Sequence, residues 1–197
     1  MKTFLHVGCG PVKKSKIPGF RDDNWKEIRF DIDKNVNPDI EGTLTDMSQV
    51  LTESVDAIYS SHNIEHVYAH EVPIVLNEFY RVLKEDGIAV VICPDLQSVC
   101  KEVVNDKLYD PLYTTPEDLP ISPVDMLYGW RLPITQGNEY MAHKCGFTYS
   151  VLTKAFAEAG FKSRCGGRSE NKWELFLVAF KQQKSEEEAI TIANNFV

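Results

Sequence analysis

Gly8-Cys9-Gly10 follows directly on a mostly apolar run from Thr3 to Val7. Glycine lets the backbone turn sharply and lets a ligand approach it closely, so a strand ending this way suits a nucleoside or nucleotide. Such a pair alone is often only a tight turn. Its value rises because Asp31 stands about twenty residues on, at the end of the next apolar run, where an ionised carboxylate can accept both hydroxyl hydrogens of a ribose. Asp33, two residues further and facing the same side, is the alternative partner, and both would otherwise be solvated loop caps. The groups able to move a proton are His62, Glu65, His66 and His143. Glu65-His66 reads more simply as the start of the following helix, and His70 as exposed.

These groups need elements to position them. Thr3–Val7, Ile28–Ile32, a stretch near Asp39–Leu44, Val55–Ser60 and Ile88–Cys93 read as strands, the last continuously apolar and stopped by Pro94 like a central parallel strand. Val72, Leu76, Phe79, Tyr80 and Leu83 recur at helical spacing, with Gly87 as a stop signal. Leu96, Val99, Cys100, Val103 and Val104 repeat that spacing, and Thr148 offers an N-cap to a third helix before Gly160. Phe161–Cys165 and Trp173–Phe180 read as a terminal antiparallel hairpin. Strands alternating with helices predict an α/β domain with a mostly parallel sheet and helices on both faces. The expected organisation is one domain over residues 1–181, an insertion at about 106–144, and a polar tail over 182–197.

The chain has 197 residues, 43% of them hydrophobic and 25% charged, with a net charge of −8. That charge speaks against nucleic acid held on a broad basic face. Lys13, Lys14, Lys16 and Arg21 form a local basic stretch, but Asp22 and Asp23 follow at once, so a solvated loop is expected. Five scattered cysteines without a CxxC pair predict neither a disulfide framework nor a zinc ribbon and fit a reducing cytoplasm. No apolar run approaches a membrane span or a signal peptide, so no membrane partner is expected. His62-x3-His66 is read as a chance pair, and no metal is expected.

The segment Leu5-His6-Val7-Gly8-Cys9-Gly10-Pro11 resembles the first motif of class I S-adenosylmethionine-dependent methyltransferases, above all the small methyltransferase type 11 group. Arg29–Asp33 is similar to their second motif, and Leu44-Thr45-Asp46-Met47 to the segment that reads the adenine. Asp56–His66 resembles the strand and helix start beside the methionine moiety. Arg81-Val82-Leu83-Lys84-Glu85-Asp86-Gly87 is similar to the family's RVLKPGG run, and Gly146-Phe147-Thr148 with Ala159-Gly160-Phe161 completes the likeness. The resemblance runs from Phe4 to about Phe180 outside the insertion. It implies a Rossmann-like sheet of seven strands with the last antiparallel, and S-adenosylmethionine as cofactor. It also implies Gly8 and Gly10 near the methionine moiety, Asp31 on the ribose, Asp46 and Met47 at the adenine, and Ser61 and His62 near the transferable methyl. His6 stands where the family usually has an acid, and the helix that often precedes the first strand is missing. The insertion, with Tyr109, Tyr113, Tyr128, Trp130 and Tyr140, is therefore expected to act as a lid.

Methyl transfer from a sulfonium is an in-line displacement in which much of the catalysis comes from holding the nucleophile in place. A base is needed only where the acceptor must lose a proton; His62 is the first candidate and His143 the second. The Asn/Asp-Pro-Pro-aromatic run of amino-directed nucleic-acid methyltransferases is replaced by Ser60-Ser61-His62-Asn63, so a small-molecule acceptor is expected. Two rival classes remain open at this point. One is a scaffold or binding protein that keeps the fold without turnover. The other is an NAD-dependent oxidoreductase, disfavoured because Val12 and Lys13 depart from a dinucleotide fingerprint.

Overall fold

Seven of the apolar and alternating runs lie side by side in one sheet in a computed structural model that describes residues 1–115, 118–169 and 171–196. The strands are β1 (Lys2–Val7), β2 (Trp25–Asp31), β3 (Ile40–Glu41), β4 (Val55–Ser61), β5 (Leu83–Pro94), β8 (Ser163–Ser169) and β9 (Glu174–Phe180), in the order β3-β2-β1-β4-β5-β9-β8. The first five run parallel. β9 runs antiparallel to β5, with Ile88 opposite Phe180, and β8 pairs antiparallel with β9. This is the expected Rossmann-like α/β architecture with its terminal hairpin.

Side chains alternate across a strand, and here they sort into two cores. Leu5, Val7, Ile58, Ala89, Val91, Leu175 and Leu177 face helix α1 (Val72–Val82) and helix α5 (Tyr149–Glu158). Helix α1 buries Val72, Val75, Leu76, Phe79 and Val82, a stripe at three- and four-residue spacing. It ends at Val82 rather than near Gly87. Leu83 turns extended while its amide bonds to Phe79 O, and the chain enters β5 at once.

On the opposite face the link between β1 and β2 holds one 3-10 turn, Lys14–Lys16, and no α-helix. Ile17 and Phe20 from that connection meet Phe4, Tyr59, Val90 and Val178, and are closed over by Ala189, Ala193 and Phe196. The last three belong to helix α6 (Glu186–Ala193) and the turn beyond it. Residues 182–197, read from the sequence as a polar tail, thus carry a packed helix. Ser185 and Glu188 cap each other reciprocally. The ring of Phe20 stacks on Phe4 at 4.2 Å and meets Phe196 at 4.9 Å.

The described residues of the insertion pack around a small core shared with the preceding helix. Helix α2 (Leu96–Val104), capped by Asp95, contributes Val99; the pair β6 (Tyr113–Thr114) and β7 (Pro120–Ile121) contributes Ile121; helix α3 (Pro123–Tyr128) contributes Met126. A short helix α4 (Arg131–Thr135) follows, and Arg131 pairs with the buried Asp125 at 2.6 Å. Among the described residues no helix is long and apolar enough to cross a membrane.

Candidate functional site

The glycine loop leaves β1 at the carboxyl edge of the sheet. Gly8 (φ 60°) and Gly10 (φ 49°) are both left-handed, a region that costs other residues about 1–2 kcal/mol. Their surroundings differ. A Cβ on Gly8 would lie 2.2 Å from the Asn63 side chain, whereas one on Gly10 would meet nothing within 4 Å. Gly8 is required by packing; Gly10 offers bare backbone to open space.

Asp31 ties this loop to β2. Its Oδ2 accepts the Gly10 amide at 2.8 Å and its Oδ1 accepts the Asp33 amide at 2.9 Å. Each oxygen keeps a further lone pair. Asp33 instead caps the next turn through the Asn35 amide, so of the two candidates Asp31 is the one engaged with the glycine loop. Beneath the loop the buried Arg29 guanidinium donates to the carbonyls of Gly10, Val12 and Val36. His6 is buried with Nδ1 2.8 Å from Glu27, whose other oxygen accepts the Lys14 amide. His6 and Glu27 are thus spent on supporting the loop. Burial pushes the Cys9 thiol up to about 12, which leaves it inert.

A cleft of about 370 Å³ runs from Gly8 and Gly10 across Asp31 and Ile32 to Gly42, Thr43, Leu44 and Thr45. Of the residues expected at the adenine end, Asp46 and Met47 lie off this cleft, and their immediate predecessors line it. The Met47 amide donates to Glu78 at 3.0 Å, and Glu78 is held by Arg81, which also reaches the carbonyls of Met47 and Val50. Asp46 caps the Ser48 amide. The Arg81 of the RVLK-like run is therefore a staple between α1 and this turn.

His62, Asn63, His66 and Val67 form the third wall, and Asn138, Tyr140, Met141 and Lys144 from the end of the insertion form the fourth. Ser61 is outside the lining. Of the five insertion aromatics only Tyr140 reaches the cleft. Tyr113 stacks on Trp173, Trp130 packs beside the Val99 core, and Tyr109 and Tyr128 are exposed. The insertion packs mainly on α2, and its last turn alone meets the cleft.

His62 sits in a left-handed turn (φ 49°) with Nε2 2.9 Å from Glu174 and Nδ1 3.5 Å from Glu65. Packing around the ring lowers its proton affinity, but the two carboxylates more than offset this and hold its pKa near 10. The two carboxylates thus favour the protonated form of the ring. His62, the first base candidate, lines the cleft, and its ring is engaged by Glu174, 112 residues later in the chain. His143 lies behind the wall. Its Nδ1 bonds to Met126 O at 2.9 Å, and its Nε2 is 3.9 Å from Glu65. Burial lowers its pKa.

This sheet order, with a ligand cleft at the carboxyl edge and an acidic residue ending β2, defines an α/β protein with the class I methyltransferase fold. More particularly, residues 5–91 match a family described as a methyltransferase domain. Solved structures agree with the fold. A protein of Pyrococcus horikoshii is 13% identical with a TM-score of 0.61 over 92% of this chain and 82% of its own. A SAM-dependent methyltransferase of Methanosarcina mazei is 14% identical with a TM-score of 0.59 over 93% of both chains. Another from Archaeoglobus fulgidus is 13% identical with a TM-score of 0.56, over 91% and 86%. No curated protein matches the chain.

Proposed function

We propose that the chain is an enzyme that transfers a methyl group from S-adenosylmethionine to a small-molecule acceptor. One observation carries the reading: Gly10 presents left-handed backbone to open space at one end of the cleft, and its amide is fixed by Asp31, the carboxylate that ends the neighbouring strand. The residues fit an adenosyl group. Asp31 takes the ribose hydroxyls on its remaining lone pairs. Ile32, an apolar residue 39% exposed, covers one face of the adenine opposite Leu44. The backbone from Gly42 to Thr45 borders the ring in place of Asp46 and Met47. Gly8, Gly10 and Asn63 border the methionine end.

When bound, S-adenosylmethionine supplies an electrophilic methyl and a thioether leaving group. The chain's own part is to hold the acceptor in line and exclude water. His62, held between Glu174 and Glu65, orients this wall. An acceptor whose nucleophile is already free of its proton, or loses it to water, needs no base from the chain. Asn138, Tyr140 and Met141 are the acceptor-side wall, and the end of the insertion closes the cleft as a partial lid. The cleft volume and the net charge of −8 support a small molecule over a polyanion. Five free cysteines support a cytoplasmic setting.

Calorimetry with S-adenosylmethionine and its demethylated product tests the proposal. Binding of both at one site per chain is expected, and a folded protein that binds neither overturns it. Methyl transfer to trial acceptors, followed by mass, separates an enzyme from a scaffold that only binds.

A further inference from the structure

Glu65 is wholly buried, yet neither carboxylate oxygen has a hydrogen-bond partner. Among the described residues the His62 ring faces it at 3.5 Å and His143 Nε2 at 3.9 Å, and neither makes a hydrogen bond to it. A buried carboxylate without donors is costly unless a cation meets it. Two further electron-pair donors converge on it. The His143 ring has Nδ1 2.9 Å from the Met126 carbonyl, and the His66 ring has Nδ1 3.1 Å from the Ala142 carbonyl. A carbonyl only accepts, so in both rings Nδ1 carries the proton, and Nε2 is the nitrogen left to offer a lone pair to an ion. The two rings pack edge to face at 4.9 Å. One ligand atom from each of Glu65, His66 and His143 lies within 4.8 Å of the other two.

We propose that Glu65, His66 and His143 form a binding site for a divalent transition-metal ion of the zinc type. Two imidazoles and one carboxylate are a donor set suited to such an ion. In proteins that bind one, each ligating histidine donates its second ring N–H to a carbonyl or carboxylate, as both do here. Tetrahedral bonds of about 2.0–2.1 Å set ligand atoms about 3.3 Å apart, so the three must close by at most about 1.5 Å, within side-chain rotation. Local spacing hides the site, because His143 joins Glu65-His66 from the far end of the insertion. The backbone already holds the two segments together, with the Lys144 amide 2.8 Å from Glu65 O. An ion here fastens the last turn of the insertion to the cleft wall that His66 lines. The inference does not depend on the cofactor reading.

The test is equilibrium dialysis of chelator-stripped full-length protein against zinc, in a Cys100→Ser background that removes the exposed thiol. One zinc per chain is expected, with a rise in thermal unfolding temperature on adding it. His143→Ala and His66→Ala should each weaken binding by more than the roughly 10- to 100-fold typical when only a ligand's supporting hydrogen bond is lost. His70→Ala, an exposed neighbour, should leave it unchanged. Should an alanine variant misfold by circular dichroism, Glu65→Gln keeps the shape and must still lose the zinc. Folded wild-type protein that takes up no zinc, or variants that bind it as well as wild type, overturn the proposal.

Discussion

Asp31 serves the loop and the cleft at once, so its replacements read on both. Asp31→Ala removes a charge-assisted acceptor and should lower S-adenosylmethionine affinity by about 1.5–3 kcal/mol, roughly tenfold to a hundredfold by calorimetry. Unchanged affinity would place the ribose elsewhere. The two glycines separate packing from binding. Gly8→Ala drives a methyl into Asn63 and should lower the urea midpoint sharply. Gly10→Ala adds only left-handed strain of about 1–2 kcal/mol while filling the cleft, so affinity should fall by more than stability does. Asp46→Ala should leave cofactor affinity within about twofold, since its carboxylate faces Ser48. A large loss there would restore the adenine position expected from the sequence. Gly8, Gly10 and Asp31 were legible because strand, turn and strand lie within one short stretch. The resemblance put Asp46 and Met47 at the adenine, and the group that occupies the Met47 amide, Glu78, could not be paired with it from the sequence because it lies 31 residues away.

At the scale of elements, the strands and the stripe of α1 announced themselves through burial on both faces or on one. Helix α6 did not, because its first turn is Glu186-Glu187-Glu188 and polarity masked the spacing of Ala189, Ala193 and Phe196. The Ser185-x-x-Glu188 capping signature was the available signal. Phe196→Ala should cost about 3 kcal/mol in chemical denaturation, at the lower end for a buried phenylalanine because its edge is still wetted. A shift below about 0.5 kcal/mol would mean that α6 does not close this core. The insertion was read as aromatic cover for the cleft. Two of its rings, Tyr113 and Trp130, pack on the small core with Val99, and Tyr140 alone of the five lines the cleft, destinations that composition alone does not distinguish.

Across the whole molecule, Glu78 and Asp56 tie distant segments together, Asp125 holds a local turn, and all three carboxylates should bear on stability in acid. The Arg81 guanidinium holds Glu78 below the usual carboxylate range. Burial would raise Asp56 and Asp125, but the Thr3 amide and Lys84 in the first case, and Arg131 and Ser122 in the second, bring both below it. A depressed folded-state pKa contributes stability above the unfolded value and loses it as pH falls through the folded one. The carboxylate contribution to the urea midpoint should therefore persist to about pH 5 and be lost below about 4. This comes on top of an earlier decline below about pH 6.5, as the buried His6 and His143, whose pKa values burial lowers, resist protonation in the folded state. Added salt should soften the loss, because the Lys84 and Arg131 partners are partly exposed. A midpoint that rose on acidification would contradict these pairings.

The contact between Phe20 and Phe196 spans most of the polypeptide, and it has a bearing on synthesis. A ribosome delivers β1 and the glycine loop early, but the hydrocarbon that shields Phe4 and Phe20 emerges only after β8 and β9 have appeared. Until then the nascent chain carries a greasy, half-finished face, the kind of surface that recruits chaperones or sticks to its neighbours.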